Sequence, residues 1–287
     1  MRDFREEAGV DIGATLAKAV VVPAGGDLDI FESFVCPSND LPALAAFLAS
    51  RPPLRLAATG AGAHRLASLV KTREPATIAD EFESWGEGER VLLGRADFAP
   101  STPHYLVSLG TGTSILRIGQ EGRVTRAGGT GLGGGTLRGF GQLLLDQADH
   151  DALTALAFQG DRRRVDLLVR DLYPPGEIAL QGDLTASNLG HIVSRDARDV
   201  ANAITGLVGE NVGLLAAALS KQEAVSFPVD IVYAGSTLRQ NPALRDVLTF
   251  ATSVGGARAR FLPHGEFVGA VGALARARGP AAGGDTR

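Results

Sequence analysis

Cysteine is all but missing: Cys36 is the only one in 287 residues, which excludes an internal disulfide and a cysteine-rich metal centre. It lies among apolar and turn residues (FESFVCPSND) with no histidine near it in sequence, so a nucleophilic role finds no support, and a reducing, cytoplasmic compartment is the expectation. No window approaches eighteen uninterrupted apolar residues, so no membrane span is expected. The first residues, MRDFREEAG, carry both signs of charge and no apolar core before Val10, unlike a signal peptide. Neither sign of charge dominates, since 28 Lys and Arg against 32 Asp and Glu leave a net −4; that balance argues against a nucleic-acid partner. The tight basic cluster Arg162, Arg163 and Arg164 is flanked by Asp161 and Asp166 and reads as a solvated helix face. His64 has no partner at metal spacing. The pattern GxxxxGK[ST] is absent, which excludes an ordinary P-loop.

Glycine, by contrast, is concentrated. Between Gly128 and Gly141 (GGTGLGGGTLRGFG) eight of fourteen residues are glycine. Glycine has the most backbone freedom to lose, so such density points to a need for bare backbone. Converging N–H groups, followed by a helix expected to begin near Thr136, make an anion site, with phosphate the usual ligand. Gly129, Gly131 and Gly134 also satisfy the spacing of a dinucleotide fingerprint. The acidic residue that fingerprint needs falls near Asp149 and Asp151, inside a stretch that reads as helix, so a dinucleotide is disfavoured.

Length sets a prior of about two domains, at about 150 residues each. Strand, helix, strand alternation through residues 39–70 indicates α/β architecture with a mixed sheet. The opening unit VDIGATLAKAVVV reads as two strands joined by a tight turn that displays Asp11, Thr15 and local N–H groups. An aspartate there suits magnesium, and Lys18 reaches a phosphate as a point charge. A second unit repeats the device: Tyr105–Leu109, a small-residue turn at 110–114, then a return strand. Two such hairpins roughly a hundred residues apart are the signature of a duplicated fold with two similar domains facing a nucleotide cleft. After the glycine run, helices are expected over 137–158 and 161–172, then a helix through DVANAITGLVGENVGLLAAALSKQ whose small apolar face suits a twin subunit or the core. Residues 279–287 read as a frayed tail.

The stretch ATIADEFESWGEGER carries Asp80, Glu81, Glu83, Glu87 and Glu89. On a helix Glu81 and Trp85 share a face, so one carboxylate points with the aromatic toward a cleft while Glu83 and Glu87 face water. Partial burial then raises its pKa and suits it to act as a base. Composition alone favours the other reading, a solvated acidic helix. Arg126, two residues before the glycine run, is either an anion ligand or half of a surface ion pair.

The words VDIGATLAK, DEFE, LGTGTS, RAGGTGLGGGT, GDLTASNLGH and VYAGSTLRQNPALR follow one another in that order across residues 9–275. Together they resemble the type II pantothenate kinases, in the superfamily of acetate and sugar kinases, heat-shock ATPases and actin. The resemblance implies two actin-like (ribonuclease H-like) domains, 1–100 and 101–287, with mixed five-stranded sheets around a nucleotide cleft. It implies ATP, Mg²⁺, pantothenate as substrate, a homodimer, and a coenzyme A or acyl-CoA regulator. Glu81 then takes the proton of the acceptor hydroxyl, with Arg126 beside it. Asp11 organises magnesium, within a first loop of Asp11, Ile12, Gly13, Ala14, Thr15, Leu16, Ala17 and Lys18. Thr111, Gly112, Gly134, Gly135, Thr136, Leu137, Arg138 and Ser236 hold ATP. Ser114, Arg126, Thr185 and Ala186 orient pantothenate. The first loop departs from the family's Asp-x-Gly-Gly-Thr at Ala14, which matters if that position needs positive φ. Two other readings stay open: a sugar or amino-sugar kinase of the same superfamily, and a silent nucleotide- and acyl-CoA-binding regulator.

Overall fold

Strand β1 (Glu6–Ile12) is buried along almost its whole length and sits at the centre of the first sheet. It pairs antiparallel with β2 (Leu16–Pro23), which pairs antiparallel with β3 (Glu32–Pro37). Helix α1 (Leu41–Ala49) follows, its N-terminus closed by the Asp40 carboxylate accepting from the Ala43 amide, as the turn residues before it favour. Strand β4 (Leu54–Thr59) returns parallel to β1; α2 (Ala63–Leu69) and the short β5 (Thr77–Ile78) complete the order β3-β2-β1-β4-β5. This computed structural model describes residues 4–72 and 74–279; the tail expected at 279–287 lies outside them beyond Gly279.

Helix α3 (Glu81–Leu92) leads into a second sheet built on the same plan. Strands β6 (His104–Leu109), β7 (Thr113–Ile118) and β8 (Val124–Thr130) run antiparallel. Next come α4 (Gly134–Leu145) and α5 (His150–Gln159), an excursion made of β9 (Leu167–Leu168), α6 (Val169–Leu172) and β10 (Thr185–Ser187), and the long α7 (Ala197–Ser220). Strand β11 (Asp230–Ala234), α8 (Pro242–Val254) and β12 (Arg258–Phe261) close the order β12-β11-β6-β7-β8, with β11 parallel to β6. The two mixed five-stranded sheets thus match strand for strand, as the duplication predicts.

Several local expectations are corrected. The helix expected over 137–158 is two helices, because Asp146 takes a left-handed conformation (φ 50°) and Asp149 caps a new start. Residues 161–172 are not one helix: the Asp161 and Asp166 side chains accept from the amides of Arg163 and Leu189, which draws the backbone into turns. Arg162 is no solvated cation either, being nearly buried against Glu210 at 2.7 Å. Helix α4 begins at Gly134, and Gly128, Gly129 and Thr130 belong to a strand.

Helix α7 is long and apolar enough to cross a membrane by composition, yet 67% of that window is buried inside the protein. Its small face receives α8: a Cβ on Gly213 would meet that of Ala251 at 2.8 Å, and one on Gly209 would meet Leu244 and Val247. That face is core and is not available to a twin subunit.

The last helix, α9 (Val268–Arg278), leaves the second sheet and packs on β1, β4 and α3. It crosses α3 with backbone nearly touching backbone. A Cβ on Gly272 would lie 1.6 Å from the Ser84 carbonyl oxygen, and one on Gly88 1.8 Å from that of Val268. Gly272→Ala therefore forces the two helices apart. We expect a loss of about 1–3 kcal/mol, read as a lower urea midpoint at unchanged slope; wild-type stability in this variant contradicts the crossing.

Candidate active site

The first hairpin turn is held from both sides. The Gly13 amide donates to the Leu16 carbonyl at 3.1 Å, and the Ser38 hydroxyl donates to the Gly13 carbonyl at 2.6 Å. Ala14 and Thr15 are left exposed at the tip. The non-glycine residues at positive φ, among those described, are Glu121, Asp146, Leu189, Gln240 and His264. Ala14 is not one of them, so alanine meets no conformational penalty there. Asp11 and Lys18 face each other across the strand pair, Nζ to Oδ2 at 3.4 Å. The Asp11 carboxylate is buried and its Oδ1 has no protein partner. Bare glycine makes the space for it: a Cβ on Gly60 would stand 3.0 Å from Oδ1, and one on Gly269 2.6 Å from Oδ2. Ile12 and Ala17 point the other way, into the core, and do not line the cleft.

The second hairpin is its counterpart. The Gly110 amide donates to Gly112, which leaves Thr111 at the tip, and the hydroxyls of Thr15 and Thr111 lie 2.7 Å apart across the two domains. The glycine run is pressed against this turn. The amides of Gly134 and Gly135 donate to the carbonyls of Gly110 and Thr111, each at 2.8 Å. Side chains there would collide, a Cβ on Gly134 with Thr237 Oγ1 at 2.6 Å and one on Gly133 with the Thr111 carbonyl oxygen at 2.7 Å. Much of the glycine density thus serves close packing of backbone on backbone, and two helix amides expected to face an anion are engaged with carbonyls. Thr136 turns its hydroxyl onto the Gly131 carbonyl and does not line the cleft.

Glu81 is the first residue of α3, directly after the cap Asp80, whose carboxylate accepts from the Glu83 amide at 3.0 Å. Burial pushes the Glu81 carboxyl above the ordinary 4.5; the negative charges of Asp11 and Asp80 add to the rise, and Lys18 opposes it. Trp85 follows one turn on along the same wall. Glu83 and Glu87 pair outward with Arg276 and Arg90. Arg126 and Ser114 approach from β8 and β7. Among the described residues no carboxylate pairs with Arg126, so of the two readings of that residue the ion pair is not formed.

These groups line one cleft of about 1020 Å³. It brings together Asp11, Gly13, Ala14, Thr15, Leu16 and Lys18 with Glu81, Thr111, Gly112, Ser114, Arg126, Gly134, Gly135, Leu137, Arg138 and Ser236. Thr185 and Ala186 are elsewhere: β10 pairs with β9, and the Thr185 amide and hydroxyl both donate to Glu210. Sequence reasoning missed Thr237, Arg239 and Asn241, although they stand inside the quoted word VYAGSTLRQNPALR, and it missed Ile204, Thr205 and Glu266, which carry no local signal. Among the described residues no cluster of three or more His, Cys, Asp or Glu could hold a metal alone. An ion bound mainly through triphosphate oxygens and water, with one carboxylate, fits the orphaned Asp11 Oδ1.

Two duplicated domains closing on a cleft through paired hairpin turns define an actin-like nucleotide-binding fold. Solved structures agree: the activator of the 2-hydroxyisocaproyl-CoA dehydratase from Clostridium difficile with bound ADPNP superposes with a TM-score of 0.59 at 14% identity, covering 95% of this chain and 94% of that one. A ROK family glucokinase from Streptomyces griseus in complex with glucose and AMPPNP gives 0.60 at 16% identity, covering 95% and 99%. At such identities the likeness is one of fold. Sequence carries it further, because the family described as Fumble matches residues 36–276. A type II pantothenate kinase of Staphylococcus aureus is 32% identical over 274 residues, 93% of this chain and 98% of the relative. The chain belongs to the Fumble family of type II pantothenate kinases.

The electrostatics of Glu81 can be tested apart from turnover. Asp80→Asn keeps a capping side chain and removes one of the negative charges that raise Glu81, so the Glu81 titration midpoint moves down toward 4.5. Carboxyl-carbon NMR reads it; an unmoved midpoint removes Asp80 from the account.

Proposed function

We propose that this chain transfers the γ-phosphoryl group of ATP to the primary hydroxyl of pantothenate, giving 4′-phosphopantothenate and ADP, the first step of coenzyme A synthesis. The observation that carries the reading is Glu81, a part-buried carboxylate with a raised pKa that shares one cleft with both hairpin tips and with Arg126, which pairs with no carboxylate among the described residues, in a chain 32% identical to a type II pantothenate kinase.

Glu81 accepts the hydroxyl proton as the acceptor oxygen forms its bond to the γ-phosphorus; the bond from that phosphorus to the β,γ-bridging oxygen breaks, and ADP leaves. Phosphoryl transfer demands alignment and charge neutralisation more than covalent help. Lys18 and the Arg138 guanidinium bring positive charge to the phosphates, and Arg126 with Ser114 orients the acceptor. Magnesium, with Asp11 as its protein ligand, supplies charge neutralisation at the phosphates when bound. The proposal places the enzyme in the cytoplasm as a homodimer, subject to coenzyme A thioesters. Support for a dimer comes from exposed apolar side chains in the excursion before α7, Leu180, Ile192 and Val193 among them, and not from α7 itself.

A coupled assay for ADP release separates pantothenate from hexoses: turnover with pantothenate and none with glucose is expected, and the reverse result overturns the assignment. Glu81→Gln retains binding of ATP and loses about 10²–10⁴-fold in kcat; near-normal turnover removes the base. Arg126→Ala raises KM for pantothenate about 10–100-fold, the worth of one charge-assisted hydrogen bond, whereas unchanged kinetics leaves Arg126 without a role.

A further inference from the structure

Among the described residues that line the cleft Trp85 is the one Phe, Tyr or Trp, and it lies a single helical turn, about 5.4 Å along the axis, from Glu81. Its orientation is unusual for an indole at a polar site. The ring nitrogen is buried and has no hydrogen-bond partner, although the residue as a whole remains partly exposed. A Cβ on Gly269 would stand 2.9 Å from that nitrogen and 2.6 Å from Asp11 Oδ2, so the N–H edge is turned against Gly269 of α9, which does not line the cleft. Phe82 holds the ring edge-to-face at 5.6 Å. What Trp85 turns toward the cleft is therefore carbon.

An apolar wall one turn from the base has a consequence for the acceptor. In pantothenate the reacting hydroxymethyl group is bonded to a carbon that bears two methyl groups, whereas in a hexose the equivalent carbon bears a ring oxygen and hydrogen. We infer that the carbon face of Trp85 reads the substituents beside the reacting hydroxyl, packing on the geminal methyls and so selecting a primary alcohol on a dimethyl-substituted carbon. This rests on the pantothenate reading. The apolar surface of the methyls leaves water against the indole; an acceptor that sets a hydroxyl there loses that hydroxyl's hydrogen bonds without replacement. Trp85 thus acts on specificity by direct contact with the substrate, and Glu81 acts on the proton.

Trp85 is also the only tryptophan in the chain, so the emission of the unaltered protein reports on this wall alone. With a non-transferring ATP analogue bound, saturating pantothenate is expected to shift the emission to the blue as water leaves the ring, and an analogue lacking both methyls shifts it less at saturation. In turnover with ATP the wild type favours pantothenate over that analogue by about tenfold or more in kcat/KM, the usual worth of a methylene-sized group in an apolar pocket. Trp85→Ala brings the ratio near unity, and Trp85→Phe keeps most of it. Should the alanine variant not fold, the emission of the wild type decides alone. Unchanged emission at saturating pantothenate, or an undiminished ratio in a folded Trp85→Ala, overturns the role of Trp85 and leaves the kinase assignment standing. No ADP release with pantothenate overturns the assignment beneath it.

Discussion

The crossing of α3 and α9 is the constraint on which the site depends. Both helices give up side chains where they meet, at Gly88 and Gly272, so that their backbones pass within contact distance. One turn away, Gly269 is bare because the Asp11 carboxylate occupies the space a side chain would take. Helix α3 carries Glu81 and Trp85, whereas Asp11 is fixed in β1. The crossing therefore sets the distance between Asp11, the proposed magnesium ligand, and Glu81, the proposed base. A looser contact, with one methyl on either helix, would move Glu81 relative to the first hairpin turn, and positioning at that scale governs phosphoryl transfer.

Charge in the cleft follows from the same geometry. Asp11 is buried with Lys18 beside it, while Glu81 is only half withdrawn from water and lies near two like charges. Desolvation and repulsion raise Glu81 above an ordinary carboxylate, which makes it a better proton acceptor than an exposed glutamate. Among the described residues Arg126, on β8, has no carboxylate partner. An unpaired cation at a cleft wall is available to an anionic ligand in a way that a surface ion pair is not.

Much of this was legible from residues alone, and the reasons differ from place to place. Turn chemistry announced both hairpins, since DIGAT and GTGTS interrupt strong strand formers. The face shared by Glu81 and Trp85 follows from helical spacing, whereas the cap at Asp80 that starts the helix came only from the structure. Other features were hidden. The break at Asp146 depends on a left-handed aspartate, and strands β3, β8 and β12 are short or rich in residues that read as loop. The glycine run was read as an anion cradle, although Gly134 and Gly135 bind carbonyls of the second turn, because sequence records the absence of a side chain and not what fills its place. Thr185 and Ala186 were assigned to the substrate by resemblance, while the Thr185 amide and hydroxyl donate to Glu210, a residue twenty-five positions on.

The return of α9 to the first sheet bears on how the chain is made. Val22 and Ala57 are covered by Ala273 and Leu274, residues the ribosome delivers some two hundred positions after the strands they protect. Until then that face of the nascent first sheet has only Leu28, Phe31 and Ala79 against it, and Asp11 has no Gly269 beside it. The amino-terminal sheet can collapse early, yet the setting of Asp11 against Glu81 is a product of the final stretch of synthesis, because α9 must be made before it can pack on β1 and α3.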